Sequence, residues 1–111
     1  DIPDEAGFID DEYRIDYIRQ HIQAFKDAVA IDGIELLGYT TWGCIDLIAA
    51  STGQMSKRYG FVHVDRDDEG RGTLKRSKKK SFYWYKQVID SNGEDLSSEN
   101  LLVPVKEASQ L

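Results

Sequence analysis

Gly33-Ile34-Glu35-Leu36-Leu37-Gly38-Tyr39-Thr40-Thr41 is the stretch on which the fold turns. Ile34, Leu36, Leu37 and Tyr39 form a nearly continuous apolar run across 34–41. A strand with one wet face alternates, whereas one covered on both faces does not, so the run predicts a strand inside a covered sheet. What precedes it is helical. Ile15, Ile18, Ile22, Phe25 and Val29 recur at spacings of three and four, a single apolar stripe, with Arg14, Arg19, Gln23 and Lys26 largely off it. Asp10 or Asp11 offers a side-chain oxygen to cap this helix, and Gly33 supplies the left-handed residue that ends it. A helix, a glycine stop and a buried strand make half of an α/β repeat.

Downstream, 49–55 reads as a small-residue loop around Gly53, and 59–64 alternates as a second strand. Residues 65–73, rich in Asp and Gly, read as a hairpin turn or flexible loop. Residues 77–89 are predicted helical, with Phe82, Tyr85 and Ile89 on one stripe that Trp84 and Val88 widen, and Asn92-Gly93 as the stop. The chain is thus one unit over 1–111: irregular over 1–10, ordered over 11–96, and a weakly ordered tail over 97–111. Two amphipathic helices and a doubly covered strand cannot hide one another's apolar surface. The chain is therefore expected to be a piece of a larger α/β protein and, when alone, to associate with copies of itself.

Composition bounds the function. No apolar run approaches the ~20 residues needed to cross a bilayer, and the single cysteine, Cys44, permits no internal disulfide and fits a reducing compartment. Two histidines and one cysteine do not suggest a structural zinc site. A cytoplasmic protein without metal or cofactor is the expectation. The net charge of −6 hides an asymmetry: residues 57–80 carry nine of the 14 Lys and Arg against four acids. A basic island on an acidic chain suits a small anionic ligand better than a nucleic acid, although scattered charges on a solvated hairpin would give the same count.

Two neighbouring stretches sharpen the anion reading. Tyr39-Thr40-Thr41-Trp42-Gly43-Cys44-Ile45-Asp46 and Ser56-Lys57-Arg58-Tyr59-Gly60-Phe61 bring an indole, hydroxyls, an ammonium and a phenol close in sequence. A phosphorylated sugar needs this set: a flat apolar surface for its ring, a point charge on its phosphate and hydroxyls that give directed hydrogen bonds.

The stretch 39–47, continued through 50–65 and 72–85, resembles the last barrel strand and following region of glycoside hydrolase family 1, and within it the 6-phospho-β-glucosidases. The resemblance covers roughly residues 8–96. It implies an α/β fold, here the C-terminal portion of a (β/α)8 TIM barrel and not a complete one: the last two helices, the last barrel strand and a β-hairpin. It further implies that Trp42 is the sugar platform and that Ser51, Lys57 and Tyr59 contact the 6-phosphate. Loop length varies among such proteins, so the serine can fall at Ala49 instead, leaving Thr52 or Ser56 as substitutes. Non-phosphorylated relatives carry a Glu-Trp pair where Ala49 and Ala50 stand; losing the Glu removes a charge that would repel phosphate, and losing the Trp opens space. Phosphogalactosidases keep a tryptophan at the position of Ala50, so a phosphorylated β-glucoside is the implied substrate. Arg58 and Asp46 are expected to be structural.

Retaining glycosidases use two carboxyl groups about 5–5.5 Å apart, and in this family they lie in Asn-Glu-Pro and Thr-Glu-Asn-Gly motifs. Neither occurs in the chain, and Glu99-Asn100 is followed by Leu101. The chain by itself is therefore expected to hydrolyse nothing, to contribute substrate recognition, and to have the amino-terminal part of the barrel as its partner. The alternative is a free-standing module that binds an anion or a partner chain. The basic run 75–80 with its following aromatics would serve such a module, but those aromatics fall on a helical stripe, which favours packing over base stacking.

Overall fold

The computed structural model describes residues 1–104. Its elements in chain order are α1 (Glu12–Asp32), β1 (Val62–Val64), β2 (Arg76–Lys78) and α2 (Lys80–Asp90). The two strands form an antiparallel hairpin pairing Val62 with Lys78, His63 with Ser77 and Val64 with Arg76. α1 and α2 pack against each other, and the core is Ile15, Ile18, Phe61, Trp84 and Val88. No closed barrel is present among the described residues.

α1 stops where its sequence says it should: Gly33 is left-handed at φ 67°, and the Ile34 N–H reaches back to the Ala28 carbonyl at 3.4 Å. Its stripe is buried only at the amino-terminal end. Ile15 and Ile18 are covered, Ile22 and Phe25 are half-buried, and Val29 is exposed. α2 spans 11 residues against the 21 of α1; beyond Ile18 the longer helix is held by looser contacts, Phe25 on the Tyr39 ring at 5.3 Å and Lys26 on the Gly93 carbonyl at 2.8 Å.

Three expectations are corrected here. Asp11 holds the position before α1 but makes no side-chain cap to it. Its carboxylate instead accepts the Ser81 N–H at 2.9 Å and the Ser81 hydroxyl at 2.5 Å, so it caps the first turn of α2 across the core. Arg14, placed off the stripe, is buried, because Asp11, Asp1 and the Arg58 carbonyl all take its guanidinium. The buried residues of α2 are Ser81, Tyr83, Trp84 and Val88, so Trp84 and Val88, expected only to widen the Phe82–Tyr85–Ile89 stripe, are its centre; Phe82 and Tyr85 are half-buried against the core and Ile89 is 65% exposed. Trp84 sets that centre, since its bulk fills the core while its indole N–H reaches the Leu96 carbonyl at 3.0 Å.

The run 34–41 does not form a regular strand. A strand apolar on both faces needs strands on either side, and the described chain offers none there. Ile34 and Leu36 are exposed, and Leu37 is 94% exposed. The backbone meets a neighbour only further on, at a single parallel bridge between Ile45 and Val62. The second strand is shorter than the predicted 59–64, and Ser77 and Lys78, predicted as the start of the last helix, pair instead within β2 before α2 begins at Lys80. The connection over 65–73 is the expected turn: Asp65 accepts both the Thr73 N–H and hydroxyl. Asn92 and Gly93, with φ of 53° and 78°, end α2 as expected.

Residues 97–104 lack regular structure but are tied down. The Ser98 hydroxyl donates to Glu12 at 2.6 Å and lies 2.7 Å from the Arg19 guanidinium, and Leu101 packs on the core. The rest of the predicted tail, 105–111, lies outside the described residues. Among those described, no helix is long and apolar enough to cross a membrane.

Gly60 shows how tightly the centre is built. A Cβ there would sit 2.5 Å from the Ile45 carbonyl carbon and 2.6 Å from the Asp46 nitrogen, both backbone atoms that cannot swing aside. Gly60→Ala is expected to cost about 1–3 kcal/mol through forced separation of these segments. Gly38→Ala, where an added Cβ meets open space, should be nearly neutral. Unfolding midpoints of the two variants check the contrast.

Candidate functional site

Backbone pairing brings the two informative stretches together. The Phe61 N–H donates to the Cys44 carbonyl at 2.9 Å and the Asp46 N–H to the Val62 carbonyl at 2.9 Å. The end of the 39–47 segment is thus docked on the start of β1, which sets Trp42 and Tyr59 on the same side of the junction. Gly43 makes the turn after Trp42 at φ 73°, where a Cβ would strike the Leu47 side chain.

Beneath this junction lies a buried charge cluster. Asp46 Oδ1 accepts the Gly60 N–H at 3.1 Å and the Lys79 ammonium at 2.7 Å, while Oδ2 takes Arg58 at 3.0 Å. Arg58 also donates to the carbonyls of Val64 at 2.8 Å and Arg66 at 2.9 Å. Lys79 is 0% exposed and further binds the Gly60 carbonyl at 2.7 Å and Asp1 at 2.5 Å. Asp46 and Arg58 thus hold the loop by hydrogen bonds, as expected, although Arg58 also lines the cavity above rather than facing away from it. Burial pulls the Lys79 ammonium down to about 8, against the opposing pull of Asp46. Burial also lowers His63, with Arg58 adding to the effect.

Lys79 is the residue that sequence reasoning missed. In the basic run 75–80 nothing separates it from its neighbours except its place, immediately before the first turn of α2. The run is also not a free cationic patch: Lys80 pairs with Glu12 at 2.7 Å and Asp10 at 3.4 Å, and the Lys78 ammonium lies 5.2 Å from the centre of the Phe82 ring.

Above the cluster opens a cavity of about 860 Å³ whose lining includes Tyr39, Trp42, Ala50, Ser51 and Tyr59, with Tyr13 and Tyr17 of α1 opposite. Trp42 is 66% exposed, an indole face turned to solvent above a polar rim. Three of the four sequence-predicted site residues, Trp42, Ser51 and Tyr59, share this cavity. Lys57 does not line it; it stands exposed in the neighbouring turn. Of the substitute hydroxyls, Thr52 and Ser56 are both outside the lining. Ser56 Oγ donates to Asp68 Oδ2 at 2.8 Å, and a hydroxyl has one proton to give, so it cannot also donate to a phosphate. Ala49, the other position for the family serine, is buried.

An aromatic floor, hydroxyls on its rim and small residues beside it suit a carbohydrate ring. The family profile of the glycosyl hydrolases of family 1 matches residues 2–94, and the chain belongs to that family. It is 71% identical over 90 residues, 81% of its length, to the 6-phospho-beta-glucosidase AscB of Escherichia coli strain K12, where the match covers 19% of that protein. It is 60% identical over 93 residues to the aryl-phospho-beta-D-glucosidase BglH of Bacillus subtilis strain 168, covering 84% of this chain and 20% of the relative. Identity is 42% over 87 residues to the 6-phospho-beta-galactosidase of Leptotrichia buccalis, covering 78% of this chain and 17% of the relative. The chain spans about a fifth of the length of these curated relatives.

Proposed function

We propose that the chain is the C-terminal segment of a retaining 6-phospho-β-glucosidase, supplying the sugar platform and the 6-phosphate site of a (β/α)8 barrel. The observation that carries this reading is the shared cavity of Trp42, Ser51 and Tyr59, with Ala50 leaving room beside them. Trp42 lies under the pyranose, and Ser51 and Tyr59 donate to the phosphate. Lys57, exposed next to this rim, swings its ammonium onto the phosphate when substrate is present. The names of the most similar relatives support a phosphorylated β-glucoside as substrate. The acid/base and nucleophile glutamates come from the amino-terminal part of the barrel, so this segment alone is inactive.

In the complete barrel, residues 34–41 become the last strand. Neighbouring strands and helices then cover Ile31, Ile34, Leu36 and Leu37, all exposed here. Alone in solution, that surface drives self-association. Phosphorylated glucosides arise from phosphorylating uptake, which puts the enzyme in the cytoplasm.

The test uses the complete enzyme that carries this segment, with nitrophenyl β-glucoside 6-phosphate and its unphosphorylated counterpart as substrates. A kcat/KM at least a hundredfold higher for the phosphorylated substrate is expected, from roughly 3 kcal/mol of phosphate binding. The product should keep the β configuration. Equal rates on the two substrates would remove the phosphate site from this segment.

A further inference from the structure

We propose that Asp68, in the β1–β2 connection and absent from the cavity lining, is a positioning residue for the phosphate-binding turn: its carboxylate clamps Ser56, and through it the adjoining Lys57. This rests on the proposed 6-phosphate site and assigns that site a distal support.

The geometry is specific. The Ser56 backbone N–H donates to Asp68 Oδ1 at 2.7 Å, and the Ser56 hydroxyl to Oδ2 at 2.8 Å. Both carboxylate oxygens are thus engaged by one residue 12 positions earlier in the chain. These two donors from Ser56 hold the Asp68 carboxyl below its ordinary range. Hydrogen bonds to an ionised acceptor are the stronger kind.

The position of this clamp gives it its purpose. On one side, the turn at 49–54 is closed by the Gly53 N–H on the Ala49 carbonyl and the Ala49 N–H on the Gln54 carbonyl. On the other, Arg58 and Gly60 are fixed by Asp46. Residues 55–57 bridge these two anchors, and Asp68 ties the bridge to the hairpin. Lys57 has a long, flexible side chain, so how well its ammonium meets a phosphate depends on where its backbone is held. Without Asp68, each substrate binding event must order this bridge again.

Asp68 is exposed and outside the core, so its replacement should leave the fold intact; the unfolding midpoint provides the check. In the complete enzyme, Asp68→Ala should raise KM for nitrophenyl β-glucoside 6-phosphate roughly 5- to 10-fold, the cost of reordering about one backbone residue, with kcat little altered. The effect on the unphosphorylated glucoside should be several-fold smaller. Asp68→Asn, which keeps one acceptor for the backbone N–H, should fall between. Lys57→Ala supplies the control. In that background Asp68→Ala should add almost nothing, because two residues acting through one contact are not additive. A lowered KM in Asp68→Ala would mean that the carboxylate merely repels phosphate, and would overturn the proposal. So would an equal loss on both substrates, or full additivity with Lys57→Ala. If Lys57→Ala itself fails to discriminate between the substrates, the phosphate site falls and this inference with it.

Discussion

Asp46→Ala is expected to destabilise the fold by about 3–5 kcal/mol, the cost of leaving a buried charge without its partner. The carboxylate is shared by Lys79, Arg58 and the Gly60 N–H, and Lys79 has no access to water. Removing it strands the ammonium with Asp1 and the Gly60 carbonyl, and it unpins β1 from the segment that carries Trp42. The solvent-screened pair of Arg71 and Asp67 gives the comparison: Asp67→Ala should cost clearly less, since only a local turn and a surface ion pair are lost. Unfolding midpoints of the two variants measure the difference, and a cost for Asp46→Ala as small as that for Asp67→Ala would refute the role given to the cluster. The cluster also has a pH signature. Because Lys79 titrates at about 8 in the fold and at about 10.4 when unfolded, the unfolded chain holds the extra proton between these values. Its contribution to stability therefore grows as pH rises through that window and is lost as pH falls through about 8.

Lys57→Ala is expected to raise KM for phosphorylated substrates by roughly 10- to 100-fold, the range for losing one hydrogen bond to a charged group. Unphosphorylated glucosides should show a far smaller change. Lys57 is exposed and has no hydrogen-bond partner among the described residues, so the substitution breaks nothing in the free protein and its effect reports on the ligand. Lys57→Arg should recover only part of the loss, since a planar fork cannot replace a compact charge on a flexible stem without moving the turn. Equal loss on both classes of substrate would remove Lys57 from the phosphate site.

The features legible in the sequence were those set by local physics. Gly33 and Asn92-Gly93 end their helices because only residues tolerant of positive φ fit there, and the residues between Asp65 and Thr73 turn because their side chains bond their own backbone. Non-local features were not legible. Residues 34–41 have the composition of a covered strand, but a strand is made by its neighbours, and none flank it here. Arg76–Lys78 joins the sheet through backbone alone, so its polar side chains gave no period to read. On α2, aromatic residues face several directions, and the packing centres on Trp84 and Val88, the edge of the predicted stripe, with Phe82 and Tyr85 beside them.

The site divides in the same way. Trp42 and Tyr59 lie in the two stretches that carry the groups a sugar phosphate requires, Ser51 entered only through the family resemblance, and the three share one cavity. Lys57 was found from the same chemistry but stands off that cavity. Lys79 was invisible, because a buried lysine and a solvated one are the same letter until Asp46 is folded against it.

The most direct measurement is a crystal structure of the complete enzyme bound to glucose 6-phosphate. The pyranose should lie flat over the Trp42 indole. The Ser51 and Tyr59 hydroxyls and the Lys57 ammonium should sit about 2.7–3.0 Å from the phosphate oxygens. A phosphate held by other residues, with Trp42 away from the ring, would contradict the assignment of this segment as the sugar-phosphate clamp.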